Sequence, residues 1–186
     1  MPSSDSTNYR KDIRTQEQFE QDIKLGTAKE KFLVKLFQKE CEYLGCKCII
    51  VDNGVDNSGV IVKRSNCQPD YKLTIDIGVL KFTNLYEIKN SPVSTKWTFK
   101  CYDLKQYVNY NANILIFWGT GYIEKEPEKI DRVNTRWGIL ETCTIIKMLS
   151  TYKPYIEYKF GNKECIQVPS KDFSKLLYIH RLHDES

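Results

Sequence analysis

The order of the periodic segments predicts an α/β fold in which α-helices flank a central mixed β-sheet. An amphipathic helical segment comes first, three strand-like segments follow it, and a second helical segment precedes a strongly apolar strand. No repeat, low-complexity block or Pro/Gly-rich linker interrupts the 186 residues, a length that is usual for one domain. We therefore expect a single domain over residues 1–186, with residues 1–14 forming a polar, flexible tail.

The first half of the chain is predicted to hold one helical region and three strands. Residues 16–44 show helical periodicity in two pieces broken near Gly26, and Gly45 is the residue expected to end the second piece. The segments that follow alternate between β-forming and turn-forming composition. They are a strand over 46–52, a loop over 53–59, a strand over 70–77, a hairpin connection over 78–84 and a strand over 85–89.

The second half is predicted to continue in the same mixed order. Its predicted elements are an extended segment over 96–102, a helix over 103–110, a strand over 113–118, a helix over 139–149, a hairpin turning at 161–162 and a last helix from Ser170. Residues 119–186 match no pattern that indicates a function, and we assign them to the same domain.

Composition sets limits on the partner and the compartment. A net charge of +4 permits nucleic-acid binding without arguing for it, because solvated lysines are common on any protein surface. Apolar runs such as 114–118 are far shorter than the roughly 20 residues of a membrane span. The N-terminus also lacks the apolar centre of a secretory signal. We expect a cytoplasmic protein that makes no membrane contact, and formation of a homodimer stays open.

The seven cysteines are an odd number, so disulfides within one chain would leave at least one unpaired. Reduced thiols are therefore favoured, since no secretory signal is evident either. Cys41, Cys46 and Cys48 lie close in sequence, but a metal site there would need a fourth ligand, and no second close pair follows. Buried free thiols are the favoured interpretation, and a structural zinc or iron–sulfur site is the alternative.

Glu87, Lys89 and Asp70 are the first candidates for a chemical site. On a strand, Glu87 and Lys89 share one face while Ile88 points the other way, although an ordinary solvated Glu/Lys pair explains this pattern alone. Asp70 opens the preceding strand, and a hairpin would bring it beside Glu87. Two neighbouring carboxylates repel each other unless a proton or a cation lies between them. Hard cations such as Mg²⁺ prefer such oxygen ligands.

Glu30 supplies a third carboxylate. It falls on the same helical stripe as the apolar residues Leu33, Val34 and Phe37, so it is predicted to face inward. Charged side chains are rarely buried unless they are paired or bind a metal. The alternative is that Glu30 lies close enough to the start of its helix to reach water and to favour the helix dipole.

These residues together resemble a known family. Pro69-Asp70 followed by Glu87-Ile88-Lys89 resembles the PD-(D/E)XK signature of the restriction-endonuclease-like superfamily. The helix that contains Glu30 resembles the first core helix of that family, which often supplies a further acidic residue. Gln106 and Tyr110 resemble the QxxxY motif of the RecB-like branch, and the resemblance covers roughly residues 26–118.

The resemblance implies a nuclease that uses Mg²⁺ or Mn²⁺ to hydrolyse DNA. Asp70, Glu87 and the Ile88 carbonyl would bind the metal, with Glu30 acting through water or at a second metal. Lys89 would orient the attacking water or stabilise developing negative charge. Gln106 and Tyr110 would position the phosphate backbone. The family acts in DNA repair, recombination, replication or degradation. The abundance of Lys, Asn, Ile and Tyr indicates an AT-rich genome, which suggests a virus or mobile element as the source, with the host cytoplasm as location.

Two alternatives stay open from the sequence. Asp76 alternates in phase with Asp70 and also falls at a spacing that the family allows, but the proline before Asp70 favours Asp70. The second alternative concerns function, since the same fold could serve a catalytically inactive nucleic-acid-binding or assembly protein. Intact Asp70, Glu87 and Lys89 favour the active enzyme.

Overall fold

The computed structural model describes residues 15–53, 68–92, 95–121, 123, 126, 129–158 and 162–183. The predicted tail over 1–14 lies outside these residues, as does all of the predicted loop over 53–59 except Asn53.

Helices and strands alternate along the chain in the mixed order that the sequence predicts. The helices are α1 (Gln16–Tyr43), α2 (Cys101–Asn109), α3 (Thr142–Thr151) and the short α4 (Phe173–Leu176). The strands are β1 (Lys47–Asp52), β2 (Tyr71–Asp76), β3 (Lys81–Ser91), β4 (Lys96–Lys100), β5 (Ala112–Trp118), β6 (Arg136–Leu140), β7 (Tyr155–Glu157), β8 (Lys163–Pro169) and β9 (His180–Arg181).

The main sheet contains six of these strands in the order β1-β2-β3-β5-β6-β9. β3 and β5 pair in parallel, and the other neighbouring strands of this sheet pair antiparallel. β4, β8 and β7 form a smaller antiparallel sheet. The prediction of an α/β fold with a central mixed sheet and flanking helices is therefore confirmed.

β5 lies inside the sheet and is buried on both faces, which explains its nearly continuous apolar sequence. Its residues alternate between two core clusters: Ile114 and Ile116 belong to one, and Leu115 and Phe117 belong to the other. The cluster on one face includes α1 residues such as Phe37. The cluster on the opposite face is completed by α2, α3 and the smaller sheet. The two clusters fix which side of the sheet each helix covers.

α1 is one continuous helix, so the predicted break near Gly26 is wrong. It starts with a capping box in which the Thr15 hydroxyl accepts from the Gln18 amide, and the Gln18 side chain accepts from the Thr15 amide. A glycine costs a helix only about 1 kcal/mol, which the burial of the α1 stripe outweighs. Gly45, which follows the C-cap residue Leu44 with φ of 77°, ends the helix as predicted. Among the described helices, none combines the length and apolar character needed to span a membrane.

The end of α1 is tied to a segment far along the chain through Glu40, which is only 3% exposed. Glu40 accepts hydrogen bonds from the His183 backbone amide at 3.2 Å, and its Oε2 lies 2.7 Å from the His183 Nδ1. The Arg132 guanidinium donates to the His183 carbonyl at 3.3 Å. A buried carboxylate needs such partners because desolvation without them is costly.

The predicted cysteine group also lies where α1 meets β1. Cys41 and Cys48 are buried and hydrogen-bonded to each other, while Cys46 is half-buried. No disulfide joins the cysteines in the described parts of the chain. The group therefore packs as free thiols between the helix and the first strand.

β3 is longer than predicted, because the turn before it is tighter. The sequence predicted a connection over 78–84, but β3 already begins at Lys81 and the turn is closed by the Ile77 amide donating to the Leu80 carbonyl at 3.0 Å. Thr74 and Thr83 face each other, and their hydroxyls lie 2.9 Å apart. Polar residues of β3 that suggested a loop are instead the exposed partners of β2.

Two predictions in the second half are wrong in their boundaries. The helix predicted over 139–149 begins only at Thr142, because Ile139 and Leu140 belong to β6 and pair with β5. The last helix is reduced to a 3₁₀ turn over Ser170–Asp172 and the four residues of α4. The hairpin near 161–162 is confirmed by the antiparallel pairing of β7 and β8.

Replacing Gly26 with alanine tests the continuous helix. A Cβ atom at Gly26 would meet no atom within 4 Å, so Gly26→Ala should raise the free energy of unfolding by about 0.5–1 kcal/mol. Gly45→Ala is the matched control and should lower it by about 1 kcal/mol or more, because its φ is left-handed. Urea denaturation measures both. A destabilised Gly26→Ala variant would contradict a continuous α1.

Candidate active site

The register between β2 and β3 places Asp70 next to Glu87. Tyr71 pairs with Tyr86, so the residue just before β2 falls opposite Glu87. The Asp70 carboxylate accepts a hydrogen bond from the Ile88 amide at 3.3 Å. Asn53 holds the backbone there, since its amide donates to the Asp70 carbonyl and its side chain donates to the Pro69 carbonyl, both at 3.0 Å. The chain therefore fixes one carboxylate at the start of β2 against the middle of β3.

Asp76 lies at the other end of the same hairpin. It pairs in register with Lys81, whose ammonium is 3.1 Å from the Asp76 carboxylate, and it accepts a hydrogen bond from the Gly78 amide at 2.9 Å. The Gly78 hydrogen bond and the Lys81 ammonium lower the pKa of Asp76. Asp76 thus supports the turn, and the geometry gives it no place beside Glu87.

Glu87 and Lys89 lie on the face of the sheet that α2 covers. Glu87 is only 6% exposed, and the Lys89 ammonium forms an ion pair with its carboxylate. The hydroxyl of Tyr107, on α2, is hydrogen-bonded to the same carboxylate. Ile88 points to the opposite face and is buried in the α1 cluster. The Glu87 carboxylate therefore has two partners within the protein, the Lys89 ammonium and the Tyr107 hydroxyl.

The Lys89 side chain stays charged in this environment. Burial disfavours its ammonium, but the attraction of Glu87, with a smaller contribution from Asp70, raises the pKa of Lys89 above its ordinary value. A positive charge consequently lies beside the Glu87 carboxylate.

The surroundings of Asp70, unlike those of Lys89, favour the uncharged form of the side chain. Burial, the Glu87 carboxylate and the Glu30 carboxylate raise the pKa of Asp70 to about 8, although Lys89 and the Ile88 amide oppose the shift. Glu30, half-buried on α1, therefore lies close enough to act on Asp70 electrostatically. Charges on α1 and on β3 therefore both act on the carboxyl at the start of β2. Near neutral pH, the Asp70 carboxyl keeps a proton unless another cation takes its place.

The two residues of the predicted QxxxY motif lie on and just after α2. Gln106 is half-buried, and Tyr110 is 39% exposed beyond the last residue of the helix. The tyrosine that bonds Glu87 is Tyr107, which sequence analysis missed. A signal for it was present, because Leu104 and Tyr107 are spaced like an inward-facing pair on a helix.

The donor set can be compared with what different metals require. Within the described parts of the chain, no three His, Cys, Asp or Glu side chains are grouped closely enough to hold a metal ion by themselves. Mg²⁺ needs less from a protein, because it is usually held by one or two carboxylates, with waters and substrate phosphates completing its shell. Asp70 and Glu87 supply oxygen donors only, which fits Mg²⁺ or Mn²⁺ and not a structural zinc.

Comparisons with known proteins leave the function to be argued from the site. No protein-family model matches the sequence, and no curated protein matches it significantly. The structure aligns with that of a nuclease from a fusselovirus over 85% of this chain and 86% of that chain, with a TM-score of 0.38 and 13% identity. A likeness this weak identifies neither a family nor an activity.

Removing the Asp70 charge should stabilise the protein in alkaline solution. The folded-state pKa of about 8 lies above that of an unfolded aspartate, so Asp70 destabilises the fold increasingly as pH rises from about 4 to 8. Asp70→Asn should therefore raise Tm in EDTA, and more at pH 9 than at pH 5. A gain of 1 kcal/mol corresponds to roughly 2–4 °C for a chain of this size.

Asp76→Asn is the control for this measurement. The pKa of Asp76 is lowered, so its charge stabilises the fold above the unfolded pKa, and Tm should fall or stay unchanged at both pH values. A Tm for Asp70→Asn that falls at pH 9 would contradict the crowding of carboxylates around Asp70.

Tyr107→Phe tests the hydrogen bond to Glu87. Loss of a buried hydroxyl that bonds a carboxylate should lower the free energy of unfolding by about 1–3 kcal/mol. Tyr102→Phe, on the same helix but 57% exposed, should change it by less than about 0.5 kcal/mol. Urea denaturation compares them, and equal effects would show that the Tyr107 hydroxyl has no special partner.

Proposed function

We propose that the protein is a metal-dependent nuclease of the PD-(D/E)XK type that hydrolyses DNA phosphodiester bonds with Mg²⁺ or Mn²⁺. The observation that supports it most is the placement of Asp70 opposite Glu87 with the Lys89 ammonium on Glu87. A carboxylate pair with an adjacent lysine is the arrangement that the sequence resemblance implies.

The carboxylates would hold the metal. When bound, such a metal lowers the pKa of a water molecule and neutralises negative charge on the phosphate. Asp70 and Glu87 would provide its carboxylate ligands, with the Ile88 carbonyl beside them. Because the pKa of Asp70 is raised to about 8, Asp70 would release its proton on binding, and affinity should increase with pH.

Lys89 would act on the reacting phosphate through its charge, and Tyr107 would act by positioning Glu87. The Lys89 ammonium stays protonated, so it would stabilise negative charge that develops on the phosphate oxygens. Tyr107 would hold Glu87 in one orientation through its hydroxyl. Glu30 would adjust the charge of Asp70 or bind through water, and Gln106 and Tyr110 would position the phosphate backbone.

Lys89→Ala should separate cleavage from binding. Lys89 is not a metal ligand in this scheme, so metal affinity measured by calorimetry should change little. Cleavage of labelled DNA with Mg²⁺ or Mn²⁺ should fall by about 10²-fold or more, as expected for a positioned group that stabilises the transition state. Glu87→Ala should lose metal binding and cleavage together.

Lys81→Ala is the matched control, since Lys81 pairs with Asp76 at the far end of the hairpin. It should cut at the parent rate. A Lys89→Ala variant that also cuts at the parent rate would refute the proposed centre. A parent protein inert on every DNA and RNA form would favour an inactive nucleic-acid-binding or assembly protein that kept the fold.

A further inference from the structure

A second concave site lies on the other face of the main sheet from Glu87. A cavity of about 300 Å³ opens where β3, β5 and β6 meet the segment after α4. Its floor includes Tyr86, which belongs to the α1-side core cluster, whereas Glu87 points to the opposite face. The volume is at the lower end of the range for small-molecule sites. Asp70, Glu87 and Lys89 do not line this cavity.

Half of the residues that line this cavity have aromatic or imidazole rings. Trp137 and His180 pair across β6 and β9, and their rings stack with centroids 4.3 Å apart and planes 17° apart. Phe82 and Tyr178 stand at the rim and are 49% and 89% exposed. Exposed rings around a cavity offer flat surfaces, which is what a planar ligand needs for stacking.

Polar side chains also line the cavity, and they already have partners within the protein, since the Asn113 Oδ1 accepts from the Thr142 amide at 3.2 Å. The Tyr86 hydroxyl is hydrogen-bonded to the side chains of Asn113 and Asn84, and the Glu141 carboxylate completes the lining. Amide and carboxylate groups are among the side chains that bind base edges. The negative charge of Glu141 disfavours a phosphate inside the cavity, so the neutral base is the part of a nucleotide that fits.

A second cavity continues the first along the surface. It has a volume of about 360 Å³ and shares Ile139, Glu141 and Tyr178 with the first. Lys175 lines this continuation; it is 77% exposed and pairs with the Asp172 carboxylate at 3.6 Å, so its ammonium faces solvent outside the aromatic part. Tyr178 and Glu141 lie where the two cavities meet, and Lys175 lines only the second.

We propose that the aromatic cavity binds an unpaired nucleobase of single-stranded nucleic acid, with Phe82 and Tyr178 as its stacking surfaces. The inference rests on the proposed function only in taking nucleic acid as the source of the base. The proposal adds single-stranded nucleic acid as a substrate class, because a base can enter this cavity only when it is not paired in a duplex.

Fluorescence anisotropy in EDTA tests the proposal without any cleavage. The probe is a labelled single-stranded DNA oligomer, compared with an oligomer of the same length and phosphate number that carries abasic sites. The parent should bind the intact strand more tightly. Phe82→Ala and Tyr178→Ala should each weaken binding of the intact strand about 5- to 150-fold, the equivalent of 1–3 kcal/mol per stacked base.

Tyr158→Ala is the matched control, since Tyr158 is 79% exposed and follows β7, a strand of the smaller sheet. It should bind like the parent, and all variants should keep the parent Tm within a few degrees. Equal binding of intact and abasic strands, or equal affinity of Tyr178→Ala and Tyr158→Ala, would overturn the proposal. So would a parent that forms a dimer which Tyr178→Ala disrupts, since a second copy would then occupy the cavity.

Failure of this proposal and failure of the nuclease proposal give different results. Lys89→Ala and Glu87→Ala should keep the preference for intact over abasic strands, because both residues lie on the other face of the sheet. A protein that shows this preference but never cuts DNA would refute the nuclease function alone. A protein that cuts DNA but does not distinguish the two strands would refute the base cavity alone.

Discussion

The register of the β2–β3 pair is the constraint on which the candidate active site depends. A shift by one residue would turn Glu87 and Lys89 to the α1 face and put Ile88 among the carboxylates. The register is fixed at the opposite end of the hairpin, where the Ile77–Leu80 turn and the Thr74–Thr83 contact leave one way to align the strands. A turn made of residues with no chemical role thus determines which side chains meet at Asp70.

The same register creates an electrostatic cost that the fold has to offset. Asp70 and Glu87 are held side by side with Glu30 close by, and burial strengthens their repulsion. The protein offsets part of this cost with Lys89, with the Tyr107 hydroxyl and with the Ile88 amide. Strain of this kind is typical of sites whose side chains are arranged for a ligand and not for stability.

Local periodicity was enough to predict most of the architecture and the carboxylate pair. Strand alternation put Glu87 and Lys89 on one face, and the turn composition after β2 placed Asp70 in reach of them. Failures arose where tertiary packing outweighed local preference. Gly26 continues α1 because the buried stripe that begins at Leu33 holds the helix on the sheet, and Ile139 is drawn into β6 by pairing with Leu115. Contacts between residues far apart in sequence cannot be predicted from the periodicity of a single segment.

The contact between Tyr107 and Glu87 shows a different limit. A motif describes spacing along a helix, whereas the direction of each side chain depends on how the helix rotates against the sheet. α2 packs through Leu104 and Tyr107, and that rotation brings Tyr107 to Glu87 and leaves Tyr110 beyond the helix end. Only the packing of α2 on β3 and β5 decides between the two.

The contact between Glu40 and His183 has a consequence for the order in which the chain can fold during synthesis. The two residues are 143 positions apart, and the carboxylate would be buried without a partner until His183 had left the ribosome. α1 is made early, but it can dock fully on the sheet only after nearly all of the other strands have been translated. Contacts of such long sequence separation slow folding, because a large loop must close before they form. Until that loop closes, the apolar stripe of α1 can pack only on the strands already made, and the C-terminal end of the helix is the last part to be covered.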